Sequence, residues 1–270
     1  MEQTLETLSY SDYEYLLKIH KIVPNFFISE AYFEHAGLEI ERAYARVKVY
    51  NPATQNHNRI LMFPPLIMGN GLDPECKEPI EIDFEGYENN CLTRHRFDRE
   101  YLYQPASFQD LSGRRWHTFK KNCKKVAQLN PKYDRPTNSS RGYYTDILLN
   151  ILQDWAGSRE IQDNETLINY VLYHDLTSIK CLFINNKIVG FNIWDRNYSY
   201  INYRFCIDNR EVPFANEYLR LCFYTDKEIQ TGVPVNDGGD LGDEQLFRFK
   251  NKLNPAIVRI RWSWENEEVV

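Results

Sequence analysis

Two stretches of this sequence carry residue types at spacings that can do chemistry. The first runs Arg114-Arg115-Trp116-His117-Thr118-Phe119-Lys120-Lys121-Asn122-Cys123-Lys124-Lys125-Val126, with six cations and no anion. The chain has 270 residues and a net charge of −6, so everything outside this run carries −12. Trp116, Phe119, Cys123 and Val126 recur at steps of three and four, which makes one apolar helical face and leaves the cations on the other. Lys120 with Lys124 and Lys121 with Lys125 are like charges one turn apart, costing about 0.2–0.5 kcal/mol each. A phosphate-bearing partner relieves that repulsion, whether RNA, DNA, a nucleotide cofactor or an anionic lipid. A solvated helical face is the plain alternative. Arg114, Arg115, Lys120, Lys121, Lys124 and Lys125 are thus the candidate phosphate or nucleic-acid ligands.

The second stretch is Asn236-Asp237-Gly238-Gly239-Asp240-Leu241-Gly242. Its glycines permit unusual backbone angles and close ligand approach. Asp240 suits the N-cap of the helix expected to follow, whereas Asp237 has no such duty. Asn236, Asp237 and Asp240 are the candidate catalytic residues. Lys250, eight residues beyond Gly242, can reach a phosphate or carboxylate, or serve the surface or strand pairing.

Other chemistries lack their signatures. The six cysteines have no C-x(2–4)-C spacing and the six histidines no H-E-x-x-H, so no metal is expected. No G-x-S-x-G elbow, Walker loop or Rossmann fingerprint occurs. Cys206 and Cys222 read as small buried hydrophobes rather than nucleophiles. With 43% hydrophobic and 26% charged residues the chain is a folded one. Its longest mainly apolar run, Ile60 to Met68, contains Pro64 and Pro65 and falls far short of the ~20 residues of a membrane helix. Met1-Glu2-Gln3-Thr4 has no secretory character, so a cytoplasmic protein is expected.

Elements must position these stretches. Ser11 to Ile22 reads as a helix capped by Ser11, with Tyr15, Leu16, Ile19 and Ile22 on its apolar face. Glu39 to Tyr50 reads as one strand, as do Ile60 to Phe63 and Tyr101 to Tyr103, with loop at Asn70 to Pro79. After the basic helix and a loop from Asn130 to Arg141 come helices at Thr145–Trp155 and Glu165–His174. Strands Ser178–Ile184 and Lys187–Trp194 are joined by Asn185-Asn186, a good two-residue turn. A strand Tyr198–Ile207, helix Phe214–Asp226, strand Val233–Asn236, helix Gly242–Lys252 and strand Ile257–Trp264 follow. On the Tyr198 strand, Tyr198, Tyr200 and Asn202 would share one face, either packed or lining a cleft.

Two helices, three antiparallel strands, then helix, strand, helix and strand is the order of the GNAT acyltransferase fold. The start Leu111-Ser112-Gly113-Arg114-Arg115-Trp116, the hairpin Leu182 to Phe191, and Asn236 to Gly242 with Leu246, Lys250, Asn254 and Pro255 resemble the phosphatidylglycerol lysyltransferase C-terminal-like family. That resemblance implies an α+β fold of two tandem GNAT-like lobes, each a mixed, mainly antiparallel sheet flanked by helices, at residues 1–110 and 111–270. It implies transfer of an acyl or aminoacyl group from acetyl-CoA or aminoacyl-tRNA to an amine or hydroxyl acceptor, which a nucleic acid could carry, with no tightly bound cofactor. Asp237 would then orient or deprotonate an acceptor amine, and backbone donors near Phe205 to Ile207 would steady the oxyanion. The place of the GNAT pyrophosphate loop reads Arg210-Glu211-Val212-Pro213-Phe214-Ala215, so Arg210, Phe214 and Ala215 are the candidate cofactor-binding residues. Pro213 stands where glycine is expected and removes one N–H donor. The alternative is a non-catalytic GNAT-like module that holds nucleic acid or another phosphate-bearing ligand on the basic helix 114–125.

Overall fold

A computed structural model describes residues 6–19, 21, 23–43, 46–50, 66–67, 92–136, 141–157, 165–240 and 242–266. The expected strand Ile60–Phe63 and loop Asn70–Pro79 lie outside these residues, as do Ile22, Cys76, Cys91 and Leu241. The chain divides into two compact units: Met1–Glu100 with Gly239–Asp243 and Val258–Val270, and Tyr101–Gly238 with Glu244–Ile257.

In the first unit β1 (Glu6–Leu8), β2 (Glu39–Ala43), β3 (Arg46–Tyr50) and β4 (Leu66–Ile67) form an antiparallel sheet in that order. Between β1 and β2 lie α1 (Tyr10–Ile19) and α2 (Glu30–His35). The cap of α1 is Ser9 rather than Ser11: the Asp12 amide donates to Ser9 Oγ at 3.2 Å and Ser9 N donates back to the Asp12 carboxylate at 3.3 Å. The buried face also differs from expectation. Tyr13, Leu16 and Leu17 are buried, while Tyr15 is 64% and Ile19 51% exposed. Phe33 of α2 selects that face, with Tyr10 and Tyr13 ring centroids 5.2 and 5.7 Å from its own. The single strand expected over Glu39–Tyr50 is instead two strands paired from Glu39↔Tyr50 to Ala43↔Arg46. No Gly, Pro, Asn or Asp in Arg42–Arg46 marks that reversal. Farther along, β5 (Leu92–Tyr103) and β11 (Ile257–Asn266) are neighbouring strands. Buried Glu100 accepts from Phe26 N at 2.7 Å and pairs with Arg259.

The second unit is a mixed sheet flanked by helices. Its strands run in the order β5 (from Tyr101), β10 (Val235–Asn236), β9 (Ile201–Asp208), β8 (Lys187–Arg196), β7 (Ile179–Ile184), β6 (Lys132–Asp134). Pairing is antiparallel throughout except β9 with β10, which is parallel. Asn185 and Asn186 turn β7 into β8 with φ of 51° and 63°, the left-handed pair such a turn demands. The helices are α3 (His117–Ala127), α4 (Arg141–Gly157), α5 (Glu165–Tyr173), α6 (Ala215–Thr225) and α7 (Glu244–Lys252). The first six of these elements after α3, strand–helix–helix–strand–strand–strand, repeat the order of β1 to β4 in the first unit.

Segment Tyr101–Asp110, expected with the first lobe, folds here with the second. β10 pairs with β5 at Val235↔Tyr103 and Asn236↔Leu102, and Tyr101, Tyr103 and Phe108 enter a core with Trp116, Phe119, Phe223 and Tyr224. Phe108 and Tyr224 stack at 4.1 Å, as do Tyr203 and Phe223. Val126 of α3 and Leu219 of α6 pack with Leu182 and Val189 in a second cluster. Gly190 on β8 is required here, since a Cβ would lie 2.6 Å from Ile207 O and 2.7 Å from a Leu219 methyl. Among the described residues no helix is long and apolar enough to cross a membrane.

Candidate active site and cationic ridge

Among the described strands of the second unit, the pairing of β9 with β10 stops early. The parallel register of β9 with β10 covers only Val235↔Ile201 and Asn236↔Asn202, after which β9 runs on to Asp208 paired with β8 alone among the described strands. Phe205 is half-buried and Ile207 buried on this free stretch. Such an edge, with main-chain groups facing a gap between parted parallel strands, can receive an extended arm and present N–H donors to a carbonyl oxygen. Asn216 at the start of α6 already uses one group there, donating to Cys206 O at 2.8 Å.

The segment leaving β10 is held by backbone and side chains together. Asp237 N donates to Tyr101 O at 2.9 Å, and Gly238 N donates to Asn236 Oδ1 at 3.0 Å. Gly238 has φ 64°, a left-handed angle that favours glycine. Asn236 is therefore a buried turn-former. Arg220 and Tyr224, one turn apart on α6, both reach Asp237: Arg220 Nη1 pairs with Oδ2 and the Tyr224 hydroxyl lies 3.2 Å from it. Lys250 of α7 donates to Asp237 O and lies 3.5 Å from Oδ1. Burial disfavours the Arg220 charge, but the facing Asp237 carboxylate outweighs it and pushes that pKa well up. Burial also raises the phenols of Tyr103 and Tyr224.

This geometry revises three expectations. The oxygens of Asp237, placed for a proton-accepting role, are committed to Arg220, Tyr224 and Lys250, and the carboxylate instead ties α6 and α7 to the end of β10. Lys250 is 4% exposed and bound to the main chain, so it is no surface ligand for phosphate. Asp240 does not cap α7. Its Oδ1 accepts from Gly242 N at 3.0 Å and its Oδ2 from Arg99 at 2.9 Å, within the first unit.

A second buried cluster occupies the other face of β8 and β9, as the alternation of Tyr203 toward α6 and Arg204 toward α5 requires. Asp195 of β8 takes both arms of Arg204 (2.6 and 3.1 Å), the Tyr170 hydroxyl (2.6 Å) and Asn202 Nδ2 (2.9 Å). Burial alone would raise the Asp195 carboxyl, but the Arg204 charge and these hydrogen bonds hold it below its ordinary value. His174 lies beside them, 2.9 Å from Trp194 O, with burial lowering its pKa. Sequence reasoning passed over this cluster and Arg220. The available signal was a charge inside an otherwise apolar strand or helix face, as in Ile193-Trp194-Asp195 and Leu219-Arg220-Leu221. Tyr198 and Tyr200, expected on a strand with Asn202, fall in the turn before it, where Tyr200 N donates to Asn197 Oδ1.

The basic segment starts as a 3-10 turn, Arg114–Trp116, and continues as α3. Trp116, Phe119, Cys123 and Val126 are buried, and all six cations are exposed, as the spacing predicted. Arg114, His117, Lys120, Lys121, Lys124 and Lys125 are among the described residues lining a cavity of about 980 Å³. Nearby stands the Arg210–Ala215 loop. Arg210 is exposed at φ 60°, its amide donating to Asp208 Oδ1, and Ala215 is buried. Phe214 sits at φ 70° as the N-cap of α6, with Lys125 Nζ 4.9 Å from its ring centroid. The ridge and the loop that follows β9 thus meet. The thiols of Cys123, Cys181, Cys206 and Cys222 are pushed up to about 12 by burial, in keeping with packing roles.

Comparison with known proteins agrees with the sequence resemblance. Residues 79–208 match the model for the C-terminal region of phosphatidylglycerol lysyltransferase. A crystal structure of a conserved protein of unknown function from Bacteroides thetaiotaomicron superposes with a TM-score of 0.65 at 12% identity, covering 98% of this chain and all of that one. L-PGS from Bacillus licheniformis superposes with a TM-score of 0.51 at 13% identity, covering 66% of this chain and 63% of that one. No curated protein matches. At these identities the structures speak for the fold alone. The chain therefore shares the α+β fold of these structures and, over residues 79–208, matches the model for the C-terminal region of phosphatidylglycerol lysyltransferase.

Proposed function

We propose that the protein transfers an acyl or aminoacyl group from a phosphate-bearing donor, acetyl-CoA or aminoacyl-tRNA, to an amine or hydroxyl acceptor. One observation carries the reading: the cationic ridge of α3 meets the loop that follows the free stretch of β9, at Lys125 and Phe214. A donor with its phosphates on the ridge can lay its ester or thioester arm along β9. The acceptor nitrogen or oxygen attacks the carbonyl carbon, forming a C–N or C–O bond. The C–S or C–O bond to the donor breaks, the acceptor's proton passes through solvent to the departing sulfur or oxygen, and main-chain donors between Phe205 and Ile207 receive the developing oxyanion. The Arg220–Asp237–Lys250 cluster holds the walls of that gap in register. In this reading the first unit is a degenerate GNAT-like lobe, a view supported by its strand–helix–helix–strand–strand–strand order.

A second reading, a non-catalytic module holding nucleic acid on the ridge, is favoured by the engagement of Asp237 in ion pairs. The test is to incubate the full chain with millimolar acetyl-CoA, with free CoA and with tRNA charged with a labelled amino acid. Ligand at a hundred times its Kd stabilises by about 2.7 kcal/mol, a rise of roughly 5–10 °C in thermal midpoint that Arg210→Ala should abolish for CoA. Label should pass from one donor to an added amine. If neither donor binds or is consumed, the transferase reading fails.

A further inference from the structure

We infer that Phe214 is a stacking platform for the base of a nucleotide whose phosphates lie along the α3 ridge. The inference deepens the transferase reading and rests on it. Three local features of Phe214 work against folding and call for another use. Its φ of 70° is a left-handed conformation that L side chains avoid. It occupies the N-cap of α6, where its side chain makes no capping hydrogen bond. It leaves an aromatic ring 38% exposed. Asparagine would suit this position on all three counts, and glycine on the first and third.

The neighbourhood supplies the use. Lys125 lies within cation–π reach of the ring, 4.9 Å from its centroid, and also lines the cavity beside Lys120, Lys121 and Lys124. An aromatic face next to a row of cations is the pairing that takes a base by stacking and its phosphates by charge. None of the six ridge cations has a carboxylate within ion-pair distance among the described residues, so the charge is available to a ligand. Pro213, next to Phe214, has no main-chain N–H to give a phosphate, which leaves more of that work to side chains. CoA and the 3′ end of a charged tRNA both offer adenine with phosphates, so the shared chemistry is an adenine nucleotide, and the source is read from the experiment.

Binding of three probes to the full chain tests this: free CoA, a single-stranded RNA ending in adenosine, and inorganic tripolyphosphate, which has no base. Phe214→Leu keeps apolar bulk on the same backbone and removes the ring; Phe214→Trp keeps a ring; Lys120→Glu with Lys124→Glu reverses the ridge. We expect Phe214→Leu to weaken the base-bearing probe by about ten-fold or more, leave tripolyphosphate unchanged, and be rescued by Phe214→Trp. Whichever of CoA and RNA shows the pattern is the source of the nucleotide. If the ridge reversal weakens CoA or RNA while Phe214→Leu does not, or if Phe214→Leu weakens tripolyphosphate equally, stacking is overturned and the phosphate-bearing donor survives. If wild-type protein binds neither CoA nor RNA, both fall.

Discussion

The buried and exposed charges of the second unit obey opposite rules. Asp195 and Asp237 are almost wholly buried, and each is matched by an arginine and further hydrogen-bond donors. The six cations of the Arg114–Lys125 segment stand in solvent with no carboxylate at ion-pair distance among the described residues. Desolvation explains the first: an ion removed from water costs several kcal/mol unless a partner replaces its hydration. Water explains how the second survives, since exposed like charges repel only weakly. The difference teaches where to look for a ligand. Buried charge has been spent on architecture, and the uncompensated charge is on the ridge.

The largest effect that can break this comparison is on the buried side. Asp195→Ala leaves Arg204 uncompensated in the interior and should cost about 3–5 kcal/mol, measured by denaturant unfolding. A loss below about 1 kcal/mol would mean that the cluster is not the structural anchor its geometry describes. A smaller effect concerns pH. Burial lowers the His174 pKa from its ordinary 6.5, so the unfolded chain binds this proton more readily than the folded one. The stability that neutral His174 contributes is thus present above about pH 6.5 and is lost as pH falls below it toward the folded-state value. His174→Gln should flatten that part of the stability–pH curve; an unchanged slope would assign the acid sensitivity elsewhere. The smallest effect on the fold is expected from Lys120→Glu with Lys124→Glu, within about 0.5 kcal/mol by thermal melting. Ligand binding should respond strongly to the same change. If the partner is nucleic acid contacting all six cations, log K against log[salt] should slope at about −4 for a single strand and about −5.4 for a duplex, and a flat dependence would exclude it.

Much of the second unit was legible because its signals are local. The Trp116–Phe119–Cys123–Val126 face, the Asn185-Asn186 turn and the β7–β8–β9 meander each depend on residues within a few positions of one another. In the first unit the same kind of reading slipped. The α1 face went wrong because Phe33 chooses it, and one strand became two because nothing in Arg42–Arg46 signals a turn. The site was legible only on its surface. The ridge is a local pattern, whereas the buried clusters join residues 17 (Arg220 and Asp237), 13 (Asp237 and Lys250), 9 (Asp195 and Arg204) and 25 (Tyr170 and Asp195) positions apart.

By itself, then, the amino-acid sequence determined an α+β chain with an amphipathic basic helix whose cations face outward, because helical period and charge run are properties of neighbouring residues. It also determined that Pro213 withholds an amide from the loop before α6. Only the tertiary structure decided that Asp237 is an ion-pair bridge rather than a free carboxylate, that Lys250 is buried, and that Lys125 comes to rest beside the ring of Phe214. Those outcomes depend on which helix packs on which strand, and electrostatic partnership in a protein interior is set by that packing rather than by spacing along the chain.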